Sequence, residues 1–441
     1  MLLGCIADDF TGATDLANML VRGGMRTVQT VGIPGQGDTI DADAVVVSLK
    51  SRTTPAASAV AESLAACRWL KAAGARQVFF KYCSTFDSTD RGNIGPVADA
   101  LMRELGADFS IACPAFPENG RSVYRGYLFV GDVLLSESGM EKHPLTPMTD
   151  PNLVRVLQRQ TARKVGLARY STVATGAAAL RARFDEMQVA GSEIAIVDAL
   201  SDDDLYVIGE ACADLALVTG GSGVAIGLPR NFAARGLLRE AGNAAALPRI
   251  EGPAVVVSGS CSKATNAQVA HWRASRPAFR IDPFALAEGK PVVAHAVAWA
   301  RERVAREPVL IYATSAPEEV AAVQRALGAD EAGALVEQAI AEITRALVAD
   351  GVRKLIAAGG ETSGAVVQAL GVTRLRVGPQ IDPGVPWMVT EAASRGAPGA
   401  GGGGGAGEPR RDTPLAIALK SGNFGSEDFF AKALAMLDAA G

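Results

Sequence analysis

The chain has 441 residues, 49% of them hydrophobic and 20% charged, with a formal net charge of −4. Single cores rarely grow past about 250–300 residues, so this length points to two or more domains. The mild acidity offers no electrostatic case for nucleic acid or an anionic membrane, and no stretch approaches the roughly 18 uncharged apolar residues of a membrane span.

The first predicted element is the apolar run Leu2–Ala7, a candidate core strand. It runs straight into Asp8 and Asp9, after which Phe10-Thr11-Gly12 turns the chain. Ala13, Leu16, Ala17, Leu20 and Val21 then recur at helical spacing. Two adjacent like charges repel, and without a positive neighbour one of them has a raised pKa. A single acid before a helix is an ordinary cap for its free N–H groups. The second acid is left over and needs another explanation.

Further strands are expected at Ala44–Leu49, Gln77–Tyr82, Phe109–Cys113 and Glu193–Asp198, with helices such as Pro55–Ala73 and Ile94–Leu105 between them. This alternation predicts an α/β fold with a largely parallel sheet flanked by helices. Arg121–Leu135 alternates aromatic, polar and glycine residues, and reads as an inserted β-hairpin or meander. Pro248 and Ile250-Glu251-Gly252-Pro253 form a connector, and Ala254–Ser258 opens a second α/β series with strands near Val309–Ala313 and Leu355–Ala358. We therefore expect two domains, 1–245 and 246–441. Ligands of such folds bind beyond the carboxyl ends of the strands.

Residues 391–411 are low-complexity and glycine-rich. They cannot bury apolar surface, and the sequence predicts a flexible surface loop rather than a phosphate cradle, which needs ordered N–H groups. The six cysteines, at 5, 67, 83, 113, 212 and 261, form no CxxC pair. That spacing suits reduced thiols in a cytoplasmic protein, not a disulfide framework or a zinc site. The amino terminus lacks the basic segment of a signal peptide. His143, His271 and His295 are too scattered for a histidine-rich metal site.

Chemistry gathers at strand ends. In the second domain three small-residue turns stand out. They are Ser258-Gly259-Ser260, the run Gly359-Gly360-Glu361-Thr362-Ser363, and Gly422-Asn423-Phe424-Gly425. The first two lie between a strand and a helix. Glycine admits a ligand close to the backbone, and a helix N-terminus offers free N–H groups and a positive dipole end. Tight turns between strands and helices are also glycine-rich for structural reasons alone. Three in one domain favour phosphate binding, although none fits GxxxxGK[ST] or GxGxxG.

In the first domain, strands end in Asp8-Asp9, Arg52 and Lys81. The last is followed by Asp87, Ser88, Thr89 and Arg91 in CSTFDSTDRGN. In a parallel sheet these ends share one edge. Bases there can take a carboxylate and acids can take hydroxyls, which suits a small anionic polyol. The bland alternative is a surface salt-bridge network with helix caps.

Together these motifs resemble the four-carbon acid sugar kinase family. They are IADDFTGATDLA at 6–17, KYCSTFDSTDRGNIGPV at 81–97, PAFPENGR at 114–121, VSGSCSKAT at 257–265, AGGETSGAV at 358–366 and LKSGNFG at 419–425. The set spans nearly the whole chain, and CSTFDST is similar to the 3-oxo-tetronate kinase branch. The resemblance implies an N-terminal sugar-acid-binding domain, a C-terminal ATP-binding domain and an active site in the interdomain cleft. It implies transfer of the ATP γ-phosphoryl to the C4 hydroxyl of a 3-oxo-tetronate. Asp8, Asp9, Arg52, Lys81, Asp87, Ser88, Thr89 and Arg91 would meet the sugar acid, with Asp9 or Asp87 as the catalytic acid–base group. Ser258, Gly259, Ser260, Gly359, Gly360, Glu361, Thr362, Ser363, Gly422, Asn423 and Gly425 would meet ATP. Mg²⁺ is the implied ion, its ligands unassigned. The alternatives are a threonate or erythronate 4-kinase, and a sugar-acid lyase or binding protein. A homodimer is left open. The segment 391–411 is longer than the usual family connector.

Overall fold

The structure, a computed structural model, describes residues 1–86, 89–143, 146–238, 243–391 and 413–439. The glycine-rich run and the pair Asp87-Ser88 therefore lie outside the described residues, apart from Glu391. The chain forms two compact units, Met1–Ala245 and Ala246–Gly441.

In the first unit the strands of the main sheet are β1 (Leu3–Ala7), β2 (Thr27–Val31), β3 (Ala44–Ser48), β4 (Gln77–Lys81), β5 (Ser110–Cys113), β9 (Val165–Ala168), β10 (Ile194–Val197) and β11 (Leu217–Gly220). Their spatial order is β2-β3-β1-β4-β11-β5-β10-β9. Every pairing along that order is parallel. β1 is thus central. Its residues Leu3, Cys5 and Ile6 are fully buried, as expected of a parallel strand covered on both faces. The helix Phe10–Arg22 follows it and buries Ala13, Leu16, Ala17 and Leu20, the predicted helical stripe. The helix Ile94–Leu105 begins and ends where the sequence places it. It stops at Gly106, whose φ of 64° is the left-handed conformation of a helix C-terminus.

The stretch Arg121–Leu135 is a meander of three antiparallel strands, β6 (Arg121–Tyr124), β7 (Tyr127–Val130) and β8 (Val133–Leu134). Asp198, just after β10, accepts the backbone N–H groups of Arg125 and Gly126 at its β6–β7 turn and that of Tyr170.

The second unit orders its strands β13 (Ala278–Arg280), β14 (Val309–Tyr312), β12 (Ala254–Ser258), β15 (Lys354–Ala358), β18 (Ala416–Lys420), β17 (Val385–Thr390) and β16 (Arg374–Asp382). The first five are parallel. β17 runs antiparallel to both β18 and β16, and β16 carries register shifts around Gln380. Pro386–Met388 is ordinary strand within β17 despite the long glycine-rich run that follows. Trp272, Trp387, Phe429 and Phe430 fill this unit's core. The Trp387 indole is satisfied by the Ala433 carbonyl at 2.8 Å. Among the described residues no helix is long and apolar enough to cross a membrane.

Candidate functional site

Two clusters carry chemistry, one in each unit. In the first unit the register pairs Ala7 with both Ser48 and Lys81. The ends of β3, β1 and β4 are therefore level, and Arg52, Asp8-Asp9 and Lys81 leave the sheet at one edge. Arg52 donates to both Asp8 oxygens, Nε to Oδ2 at 3.0 Å and Nη2 to Oδ1 at 2.8 Å, and its Nη2 also reaches Asp9 Oδ1 at 2.7 Å. Lys81 Nζ lies 3.7 Å from the same Asp9 oxygen. Asp9 Oδ2 accepts from Thr11 Oγ1 and the Gly12 amide, so Asp9 is also the N-cap of the helix Phe10–Arg22.

The two acids have divided their tasks. Burial raises the Asp8 carboxyl by more than the Arg52 charge lowers it. Burial also opposes ionisation of Asp9, but Arg52, Lys81 and the bonds from Thr11 and Gly12 prevail and hold it at about 2. Asp9 is therefore the first of the pair to ionise, and the positive neighbours missing from the local sequence come from the loop after β3 and from the last residue of β4. Gly12 is needed for this: a Cβ there would lie 2.1 Å from Lys81 Nζ and 2.2 Å from Asp9 Oδ1. Asn93 fixes the Arg52 loop, its amide Nδ2 donating to the carbonyls of Ser51, Arg52 and Thr54.

Not every expected residue joins. Asp87 and Ser88 lie outside the described residues. Thr89 and Arg91 have no described hydrogen bond or ion pair with the acid–base cluster. The Thr89 carbonyl accepts from Gln160 at 2.6 Å, and Arg91 is exposed.

Sequence reasoning passed over two features. The run Gly220-Gly221-Ser222-Gly223 begins at the last residue of β11, the neighbour of β4, and its glycines pack against the backbone of Cys113–Phe116 too tightly for side chains. Asp15 is buried on the helix Phe10–Arg22, hydrogen-bonded to Ser222, with its Oδ1 unpartnered. Burial pushes its carboxyl up to about 6 despite nearby Lys81. The strand-then-glycine pattern of LVTGGSG was the available signal for the first. Nothing local marks Asp15 as buried and polar.

In the second unit the three small-residue turns converge. A Cβ on Gly259 would meet Thr362 Oγ1 at 2.5 Å, one on Gly359 would meet it at 2.9 Å, and one on Gly422 would meet Ser260 Oγ at 2.7 Å. These contacts join all three turns through positions where a side chain does not fit. Gly359 has φ +127°, which glycine alone adopts readily. Gly360 has no such constraint; it is the first residue of the helix Gly360–Ala369. The conformational demand thus sits one residue earlier than the sequence suggested. Ser258 and Ser363 are fully buried, their hydroxyls on Thr314 and on the Ala357 carbonyl, so they brace the turns from behind. Gly425, φ +86°, packs on Phe429, and Asn423 is exposed.

Gly259, Ser260, Cys261 and Gly359–Thr362 line a cavity of about 610 Å³. Its other wall is largely apolar, with Phe284, Val320, Val323, Ala332 and Val336, and was not foreseen. Asp382, buried at the end of β16, holds the chain beyond the third turn. It accepts from the Ser426 amide at 2.8 Å, from the Ser426 hydroxyl, and from Lys432.

Comparison with known proteins matches residues 3–228 to the model of a sugar-binding N-terminal domain, and residues 255–430 to that of a nucleotide-binding C-terminal domain. A Burkholderia multivorans protein named 3-oxo-tetronate kinase is 65% identical over 439 residues, covering 100% of this chain and 98% of its own. A Pseudomonas fluorescens protein of the same name is 62% identical, covering 99% and 97%. Among solved structures, a Salmonella typhimurium LT2 protein provisionally named a tRNA synthase superposes with TM-score 0.87 at 44% identity, covering 98% of each chain. A Haemophilus influenzae protein gives TM-score 0.81 at 43% identity, covering 98% of this chain and 100% of its own.

Proposed function

The chain belongs to the four-carbon acid sugar kinase family, and on that premise we propose that it transfers the γ-phosphoryl group of ATP to the C4 hydroxyl of a 3-oxo-tetronate, giving the 4-phosphate and ADP. The observation that carries the kinase class is the convergence of three small-residue turns beside a 610 Å³ cavity. Backbone N–H groups at such turns suit phosphates, and the apolar wall suits a purine. The substrate rests on likeness to relatives with that name at up to 65% identity over the whole chain.

In the first unit, Lys81 receives the sugar carboxylate. Asp9, ionised and held between Arg52 and Lys81, accepts a hydrogen bond from the attacking hydroxyl. A residue with so low a pKa works as an orienting acceptor rather than a strong base. That suffices for phosphoryl transfer, which depends chiefly on positioning and charge neutralisation. Asp87 is the second candidate for this role. Asp8, closed off behind Arg52, fixes the guanidinium and meets no substrate in this scheme.

Among the described residues no group of three or more His, Cys, Asp or Glu side chains gathers as a metal site. Mg²⁺ carried on nucleotide phosphates needs only one or two protein carboxylates. Glu361, exposed in the first helical turn beside the cavity, is the acid placed to supply one. The ion, when bound, neutralises phosphoryl charge. The free cysteines fit a reducing compartment such as the cytoplasm.

The test is ADP release measured with 3-oxo-tetronate, threonate and erythronate as acceptors. The proposal expects the highest kcat/KM with 3-oxo-tetronate. Preference for threonate or erythronate would reassign the substrate, and no ADP release with any of them would remove the kinase.

A further inference from the structure

Lys420 ends β18 and its residue surface is fully buried. Its ammonium donates to three neutral oxygens: Thr265 Oγ1 at 3.1 Å, the Ser421 carbonyl at 3.0 Å and the Gly422 carbonyl at 2.9 Å. The Gly422 carbonyl also accepts from Ser262 Oγ at 2.6 Å and Thr265 Oγ1 at 2.8 Å. Three donors, from the N-cap and first turn of the helix Lys263–Arg273 and from a strand end, thus meet on one backbone oxygen, and Gly422 itself lies against Ser260 of the first small-residue turn.

All three ammonium hydrogens are used, but the charge is not balanced. Ionisable groups on the elements packed around it are Lys354 on β15, Lys263, His271 and Arg273 on the helix Lys263–Arg273, and Glu361 on the helix Gly360–Ala369, with Cys261 in the first turn. Among the described residues none is an ion-pair partner of Lys420, and Lys354 is paired with Asp438. Buried charges in proteins are ordinarily paired, because desolvation is costly. Here burial pulls the lysine down to about 7. A cation with satisfied hydrogen bonds and no counter-charge, behind turns of this kind, lacks one partner: an anion.

We propose that Lys420 is a positioning residue of the nucleotide site. It fixes the Ser421–Gly422 turn through the two carbonyls, and the phosphates seated on the converging turns supply its missing counter-charge. This rests on the reading of the second unit as an ATP site, and adds a residue and a proton to it. Anionic phosphates favour the ammonium form, so ATP binding takes up a proton wherever the free protein holds Lys420 neutral. Nucleotide affinity then weakens as pH rises above 7, by up to tenfold per unit.

The experiment is calorimetric titration of the wild-type protein with a non-hydrolysable ATP analogue and Mg²⁺. It is run at pH 7 and pH 8 in two buffers of different ionisation enthalpy, alongside Lys420→Met, with KM values from the ADP-release assay. The wild type is expected to take up close to one proton per nucleotide at pH 8 and about half at pH 7. Lys420→Met is expected to take up none, with KM for ATP raised at least tenfold at pH 7 and KM for the sugar acid within twofold. A general packing role would move both KM values together and leave proton uptake unchanged. Binding without proton uptake in the wild type overturns the proposal while the kinase reading stands, and this arm decides even if the variant fails to fold. If the wild type binds no ATP analogue, both readings fall together.

Discussion

The Arg52 guanidinium and the Asp8 carboxylate form a two-point ion pair, Nε to Oδ2 at 3.0 Å and Nη2 to Oδ1 at 2.8 Å. Asp8 is 6% exposed. Removing the arginine leaves that carboxylate buried and alone, which typically costs about 3–5 kcal/mol. Arg52→Ala should therefore lower the denaturant midpoint of unfolding as well as activity. Arg52→Lys should recover only part of it, because an ammonium cannot make the two-point contact. A midpoint unchanged in Arg52→Ala would mean that Asp8 is solvated or neutral.

Gly12 separates fold from chemistry. Its missing side chain leaves room for Lys81 Nζ and Asp9 Oδ1, both ends of movable side chains. Gly12→Ala should displace them while the backbone stays. Misplacement of this size costs on the order of tenfold to a hundredfold in rate. We expect that loss in kcat/KM for the sugar acid, with ATP-analogue affinity nearly unchanged and a loss of stability no larger than that of a disturbed helix cap, about 0.5–2 kcal/mol. Equal losses of affinity for both ligands would contradict it.

The paired glycines at 359 and 360 give a contrast in the second unit. Gly359→Ala must adopt φ +127° with its Cβ 2.9 Å from Thr362 Oγ1, a strain of order 1–3 kcal/mol. Gly360→Ala lies exposed at a helix start, where no positive φ is demanded. KM for ATP should rise strongly in the first variant and little in the second. The reverse order would place the phosphate contact at 360 by steric exclusion alone.

Asp15 gives a dependence on pH. Its folded value of about 6 stands above the ordinary 3.8, because burial opposes its charge. The folded state therefore holds this proton more tightly than the unfolded state. The resulting stabilisation is complete below pH 4 and is lost as pH rises through 6. Asp15→Asn carries no charge to bury, and should be more stable than the wild type at pH 8 by on the order of 1–3 kcal/mol. The difference should vanish near pH 4. Denaturant titrations at the two pH values decide. Equal stability at pH 8 would show the carboxylate to be well solvated or paired.

Much of this was legible in local sequence. The helix Ile94–Leu105 and the strand Ala254–Ser258 stand where the pattern put them, because apolar spacing and flanking glycine act over a few residues. The pair Asp8-Asp9 announced a site. What the sequence withheld is adjacency. That Arg52 would close on both acids depends on β3 lying beside β1. The Asp15–Ser222 contact depends on distant chain segments meeting, which neither segment encodes. The antiparallel pair β16–β17 was missed because Arg374, Arg376, Gln380 and Asp382 break the apolar run that marks a buried strand. The shift of demand from Gly360 to Gly359 is a matter of a single φ angle, invisible in a Gly-Gly pair.

The crowding of donors on the Gly422 carbonyl reaches beyond that oxygen. Lys420, Ser262 and Thr265 all draw electron density toward it. In an amide, density withdrawn at oxygen is withdrawn from nitrogen too, so the peptide linking Gly422 to Asn423 is polarised and its N–H a better donor than an ordinary backbone amide. The turn thus presents a stronger N–H dipole without any additional cationic side chain. One of the three donors is a buried lysine, so a side chain sealed from solvent contributes to the hydrogen-bonding strength of a neighbouring backbone amide.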